Sequence, residues 1–294
     1  MKKMLNKYLV ITNSYIDLMK PNILIMVLIT TILGYFLGSN GKILWSNLIW
    51  MLIGTTFSAG GAGVLNQYLE RDQDKIMNRT CNRPIPSGKI SPQNALIFGI
   101  ITVIVGTVIL LVKTNLLTGF LSLLTAFMYV LIYTPMKRVT WLNTSLGSIP
   151  GALPPVGGWA AATNSIDSGA WILFAILYLW QHPHFFAIAW MCKDDYSQAN
   201  FKMLPVVEPD GNRTIRQIFW HLLLMIPIAL LPVIEGSLGI IYLIGVTIIS
   251  FAFFLSAIPL AKDKSNKSAL LLLKTSVFYL PALLVIIIID LGIS

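Results

Sequence analysis

Apolar residues recur in runs long enough to cross a bilayer, near 21–38, 45–65, 93–112, 116–133, 142–162, 169–191, 217–234, 239–259 and 268–291. A crossing helix needs roughly 20 predominantly apolar residues to span the hydrocarbon core. The pattern therefore predicts an all-α polytopic membrane protein of nine transmembrane helices, with residues 1–294 forming one transmembrane domain. The fifth run, SLGSIPGALPPVGGWAAAT, is dense in Gly and Pro, which a span tolerates where neighbours or water satisfy the freed backbone groups. It is expected to line a cavity or to be broken. Two connections, 66–92 and 192–216, are longer than ordinary loops and follow the second and sixth helices, which hints at two similar halves.

Composition sharpens this reading. Hydrophobic residues make up 56% of the chain and charged ones 11%, against roughly a quarter charged in soluble domains, so a soluble fold is excluded. A net charge of +9 would suggest nucleic acid as the partner of a soluble protein. Here it has another origin. With the N-terminus inside, every one of the 21 Lys and Arg except Lys42 and Lys113 falls on the cytoplasmic side, as the positive-inside rule requires. The C-terminus is then outside, no nucleic-acid partner is expected, and the loops 66–92, 134–141 and 192–216 share the cytoplasmic face. The start of the chain lacks an apolar core followed by a small-residue cleavage site, so the first span is expected to target the protein and remain in it. Cys81 and Cys192 stand apart, in no metal-binding spacing.

Candidate chemistry begins where the second span meets the cytoplasm, in NQYLERDQDKIMNRTCNRPIPSGKI. Asn66, Glu70 and Asp74 are spaced i, i+4, i+8, so a continuing helix gathers their oxygens into one stripe, while Asp72 points elsewhere. Oxygen ligands in this pattern suit magnesium, which is commonly held by one or two carboxylates together with substrate phosphates. Arg79, Arg83 and Lys89 follow closely and can bind diphosphate oxygens, Arg in bidentate fashion and Lys as a point charge. The bland alternative is a solvated helix whose acids and bases pair at i, i+4. The position of Asn66 at the end of an apolar run favours function, because buried polar groups in membranes are costly.

A second constellation, WQHPHFFAIAWMCKDDYSQANF, brings Lys193, Asp194, Asp195 and Tyr196 to the same face four helices later. In a closed bundle the two acidic clusters could oppose each other across a diphosphate, with Asp194 and Asp195 as further metal ligands beside Asn66, Glu70 and Asp74. His182 and His184 lie just inside that span, where each is either a packed side chain beside a Pro183 kink or a haem contact; two rings this close cannot ligate one metal from opposite faces. His221 has no partner visible in sequence. Lys137 and Arg138, in YTPMKRVTW, either satisfy the positive-inside rule alone or form a further basic arm over the site.

Taken together, Asn66 to Arg83 with Pro84, the YTPMKR loop with WLN and GSIPGALPPVGGWAA, and WQHPHF followed by KDDY and LPVV resemble the haem O synthases (protohaem IX farnesyltransferases), within the superfamily of intramembrane aromatic prenyltransferases. The resemblance runs from about Lys20 to Val207. It implies a nine-helix bundle open laterally to lipid, magnesium-dependent binding of farnesyl diphosphate, and farnesyl transfer to a vinyl group of haem B, which is a substrate and not a resident cofactor. It also implies residence in the plasma membrane and, as partners, a haem A synthase or a terminal oxidase under assembly. Asn66, Glu70 and Asp74 match the superfamily's first metal motif, with Glu70 where Asp is common. In the second motif Asp195 takes the later acidic place and Met191 the earlier, a departure that resembles the haem branch more than the quinone branch. The competing readings are a quinone-precursor prenyltransferase of the same superfamily and a secondary transporter. A transporter should carry charge near the bilayer midplane, whereas nearly all the acids here gather at one membrane edge.

Overall fold

In the computed structural model, which describes residues 2–293, each apolar run becomes a helix, because a backbone in lipid must satisfy its polar groups internally. The order is α1 Lys2–Leu18, α2 Pro21–Gly38, α3 Trp45–Leu69, α4 Arg71–Ile76, α5 Pro92–Lys113 and α6 Leu116–Phe127. A π-helical turn, Met128–Tyr133, runs on into α7 Thr134–Met136. There follow α8 Asn143–Thr163, α9 Ser168–Met191, α10 Lys193–Gln198, α11 Leu204–Val207, α12 Asn212–Ile234, α13 Ile240–Asp263 and α14 Asn266–Ile293. Among the described residues, eight helical segments are long and apolar enough to cross a membrane. The ninth long helix, α8, is the Gly/Pro-rich one and falls outside that group.

Two boundaries differ from expectation. The N-terminal stretch, which precedes the first apolar run, forms α1; its lysines break up any apolar run, so hydropathy gives no sign of it. The loop expected over 192–216 instead holds α10, α11 and the first turn of α12.

The helices form a ring in which α2 packs on α3 and α8, α3 on α5, α5 on α6, α6 on α8, α8 on α9, α9 on α12 and α14, and α14 on α13 and back on α2. Glycines set the closest approaches: a Cβ at Gly158 would lie 2.0 Å from the Thr31 carbonyl, and one at Gly106 would lie 2.3 Å from the Ser58 amide. Despite Pro150, Pro154 and Pro155, α8 is continuous, so of the two outcomes expected for it the cavity-lining one applies. On α5, Ile97, Ile100, Ile101, Ile104 and Val108 make an i, i+3, i+4, i+7 face between 44% and 56% exposed. An apolar face of this size marks a lipid-facing surface. The chain is a multi-pass membrane protein. At the far end, the buried Asp290 accepts from the amides of Gly239 and Tyr242 and so caps the start of α13.

The two long connections that hinted at similar halves begin alike. Both α3 and α9 end at a residue of similar backbone shape, Glu70 (φ −95°, ψ 6°) and Cys192 (φ −106°, ψ 19°). Each is followed by a helix of six residues, α4 or α10.

Candidate active site

The ring encloses a cavity of about 470 Å³, walled by α2, α3, α6, α8, α9 and α14. Ile23 on α2 and Val277 on α14 line it and are also 58% and 43% exposed, so it opens to the outer surface between those helices. One end is hydrocarbon and hydroxyl: Thr30, Thr31 and Thr125 donate to carbonyls of their own helices and leave only methyls for a ligand.

The other end is charged. The expected stripe survives a break at Glu70, because Glu70 N still bonds Asn66 O at 3.0 Å and Asp74 N bonds Glu70 O at 2.8 Å. Asn66, Glu70 and Asp74 are all buried and all line the cavity. Each is held by another segment. Arg83 Nη1 donates to both Asp74 oxygens at 2.9 and 2.8 Å. Lys137 Nζ lies 2.7 Å from Glu70 Oε1. Lys20 Nζ donates to Asn66 Oδ1, whose amide in turn donates to Thr134 Oγ1 at 2.9 Å.

Electrostatics follow from this packing. Burial opposes ionisation of Glu70, but Lys137 and Lys20 outweigh it and hold the carboxyl below its ordinary value. Burial would likewise lower Lys137, yet Glu70 drives it well above the usual lysine range. Lys20 goes the other way: burial, reinforced by Arg83, brings it from 10.5 to about 7, against the pull of Glu70. With Lys20 protonated, the cavity wall carries Lys20, Arg79, Arg83 and Lys137 against Glu70 and Asp74, an excess of positive charge that suits a polyanion.

The remaining sequence candidates divide. Arg79 and Tyr196 line the cavity, with the guanidinium 4.7 Å from the centre of the Tyr196 ring. Lys89, Arg138, Lys193, Asp194 and Asp195 are not in its wall. Asp195 accepts from the amides of Asn78 and Arg79 at 3.2 and 3.4 Å, which ties α10 to the loop that carries Arg79. His184 lines the cavity; His182 does not, and its ring stacks on His221 with centroids 3.7 Å apart.

Among the described residues no three His, Cys, Asp or Glu side chains are gathered closely enough to hold a metal by themselves. The amide and two carboxylates of the stripe are oxygen donors of the kind that would suit a magnesium ion sharing its coordination with phosphate oxygens. Sequence reasoning placed Tyr133 on this face but missed Lys20, Tyr129 and Thr134. The signal for Lys20 was its place immediately before Pro21, which opens α2; Lys20 itself sits at φ 55°. The π-helical turn that brings the two tyrosines and Thr134 to the site left no sequence mark.

Comparison with known proteins gives a consistent family. The sequence pattern of the UbiA prenyltransferase family matches residues 27–280. The chain is 42% identical to a protohaem IX farnesyltransferase of Solibacter usitatus (strain Ellin6076), over 94% of this chain and 98% of that protein. It is 41% identical to a protohaem IX farnesyltransferase of Salinibacter ruber (strain DSM 13855 / M31), over 94% of this chain and 98% of that one. Among solved structures, a digeranylgeranylglyceryl phosphate synthase superposes with a TM-score of 0.79 at 21% identity, covering 96% of this chain and 98% of that one. A UbiA homologue from Archaeoglobus fulgidus bound to DMAPP and Mg2+ superposes with a TM-score of 0.70 at 16% identity, covering 93% and 99%.

Proposed function

Because the chain belongs to the UbiA prenyltransferase family, we propose that it transfers the farnesyl group of farnesyl diphosphate to a vinyl group of haem B, with addition of water, giving haem O. The observation that carries this reading is one cavity with a cationic, carboxylate-bearing end and a long apolar end, together with the name shared by relatives at about two-fifths identity. The charged end takes the diphosphate and the apolar end the isoprenoid. Loops 66–92, 134–141 and 192–216 cap one transmembrane unit on its cytoplasmic face.

Asn66, Glu70 and Asp74 are the residues that would hold magnesium. Bound there, the ion would neutralise charge on the diphosphate as it departs. Arg83 and Lys137, already in contact with those carboxylates, need only turn from carboxylate to phosphate when substrate enters. Arg79 and a protonated Lys20 complete the cationic cradle. As the C1–O bond of farnesyl diphosphate breaks, its electron pair leaves with the diphosphate. The terminal vinyl carbon attacks C1, and the cation left on the inner vinyl carbon is captured by water, which then loses a proton. No side chain acts as a nucleophile. The apolar walls exclude bulk water, so the allylic cation meets the acceptor before it is hydrolysed.

Asp195 would act through the loop it ties to α10, keeping Arg79 over the cavity, and Asp194 would contribute charge at the same edge. Product handover to a haem A synthase or an oxidase under assembly, and residence in the plasma membrane, fit this activity. The test is diphosphate release by purified protein in detergent with farnesyl diphosphate and magnesium, with haem B or 4-hydroxybenzoate as acceptor. Release that depends on haem B supports the reading. Release that depends on the aromatic acid would move the chain to the quinone-precursor branch.

A further inference from the structure

The two histidines of the HPH segment, with Pro183 between them, differ in how their ring nitrogens are engaged. In His182 both ring nitrogens are engaged: Nδ1 lies 2.8 Å from Tyr178 O, and Nε2 lies 3.0 Å from the Ser145 hydroxyl. Since a backbone carbonyl can only accept, Nδ1 carries the proton and Nε2 accepts from Ser145. The ring is fully buried against His221 and takes no part in the cavity wall.

In His184 only Nδ1 is engaged. The Ser276 hydroxyl on α14 donates to Leu273 O at 2.6 Å, so toward His184 Nδ1, 2.7 Å away, it must accept. That fixes the proton of a neutral His184 on Nδ1. Nε2 is left with an open lone pair and has no hydrogen-bond partner among the described residues, and His184 lines the cavity. The ring cannot turn freely, because it is stacked on Trp180 at 4.7 Å and 21°, and Trp180 is itself anchored through Nε1 to Ser276 O at 2.9 Å. An imidazole with one nitrogen donating to a fixed partner and the other bare toward a cavity is the usual arrangement of a metal-ligating histidine.

We propose that His184 Nε2 is an axial ligand to the iron of the substrate haem, and that Ser276 is the positioning residue that sets its tautomer. This rests on the haem reading of the cavity. Ligation from α9 would pin the porphyrin centre beside α9 and α14, and leave the macrocycle free only to turn about the Fe–N axis until a vinyl edge meets the farnesyl C1. His184 would thus supply the orientation that an apolar pocket alone cannot, since the porphyrin faces offer no other directional contact.

The experiment titrates ferric haem B into the purified full-length protein in detergent, without farnesyl diphosphate, and follows the Soret band and the electron paramagnetic resonance spectrum. The wild type should give the spectrum of a histidine-ligated haem. His184→Ala should lose it and regain it on addition of free imidazole, while His182→Ala should keep the wild-type spectrum. Ser276→Ala, which leaves the ligand in place but frees its tautomer, should weaken haem affinity by about tenfold or more, the usual cost of removing such a partner. Binding of farnesyl diphosphate to each variant, measured separately, reports whether the protein is folded. If His184→Ala still binds farnesyl diphosphate and its haem spectrum equals that of the wild type, the ligand assignment is wrong. A wild type that binds farnesyl diphosphate but takes up no haem would instead overturn the haem reading itself.

Discussion

Glu70 and Asp74 each contact a cation across the cavity wall, and their worth lies in charge more than in shape. Replacing them by isosteres keeps the packing and removes the charge. Glu70→Gln and Asp74→Asn are expected to lower farnesyl transfer by about 100-fold or more, the usual effect of removing one electrostatic stabiliser of a departing anion. Their thermal transitions in detergent should stay close to wild type. Rates near wild type in both would exclude the stripe as a metal and diphosphate site. Lys20 offers a separate test because its value near 7 lies within the working range. Below that pH it is cationic and attracts diphosphate; above it the charge is lost. The kcat/KM for farnesyl diphosphate should therefore fall as pH rises through about 7. Lys20→Arg, charged at every accessible pH, should flatten that limb; a limb of unchanged position would assign it to another group. Asn66, Glu70 and Asp74 were legible from spacing alone, because helical periodicity puts them on one face. Lys20, Thr134 and Ser276 were not, because their partners lie 46, 68 and 92 positions away in the chain and meet them only through helix packing.

At the scale of elements, hydropathy yielded nearly every long helix but not its irregularities. The apolar runs foretold α2, α3, α5 and α9 within a few residues, since a span is read directly from length and polarity. The π-helical turn at Met128–Tyr133 could not be read, because it inserts nothing but a wider hydrogen-bond ring: the Thr134 amide bonds Tyr129 O, five residues back. That turn sets the phase of everything after it, including Thr134 against Asn66 and Lys137 against Glu70. Deleting Val130 should convert the turn to ordinary α-helix and rotate the following residues by about 100°. Turnover should be lost while helical content by circular dichroism is retained. A deletion variant with wild-type turnover would show that the turn has no role in positioning Lys137.

For the whole molecule, the cavity has one charged end, and from the positive-inside bias we propose that this end faces the cytoplasm. Ser87 is exposed beside the charged end, and Ser168 is exposed at the opposite end of the bundle, at the start of α9. In a background with Cys81 and Cys192 replaced by serine, Ser87→Cys should react with a membrane-impermeant thiol reagent only after cells are opened. Ser168→Cys should react in intact cells. The reverse pattern would overturn the orientation, and with it the route by which an anionic diphosphate reaches the site from the cytoplasm while its tail enters between α2 and α14.

The central claim, farnesyl transfer to haem with capture of water, is tested most directly by the mass of the haem. Purified protein is incubated with haem B, farnesyl diphosphate and magnesium in water enriched in oxygen-18, and the extracted haem is weighed by mass spectrometry. The account predicts a haem heavier by one farnesyl group and one hydroxyl that carries the heavy oxygen, absent from Asp74→Asn samples. Haem recovered at its original mass from a protein that binds both substrates, or farnesylated haem without the heavy oxygen, would contradict it.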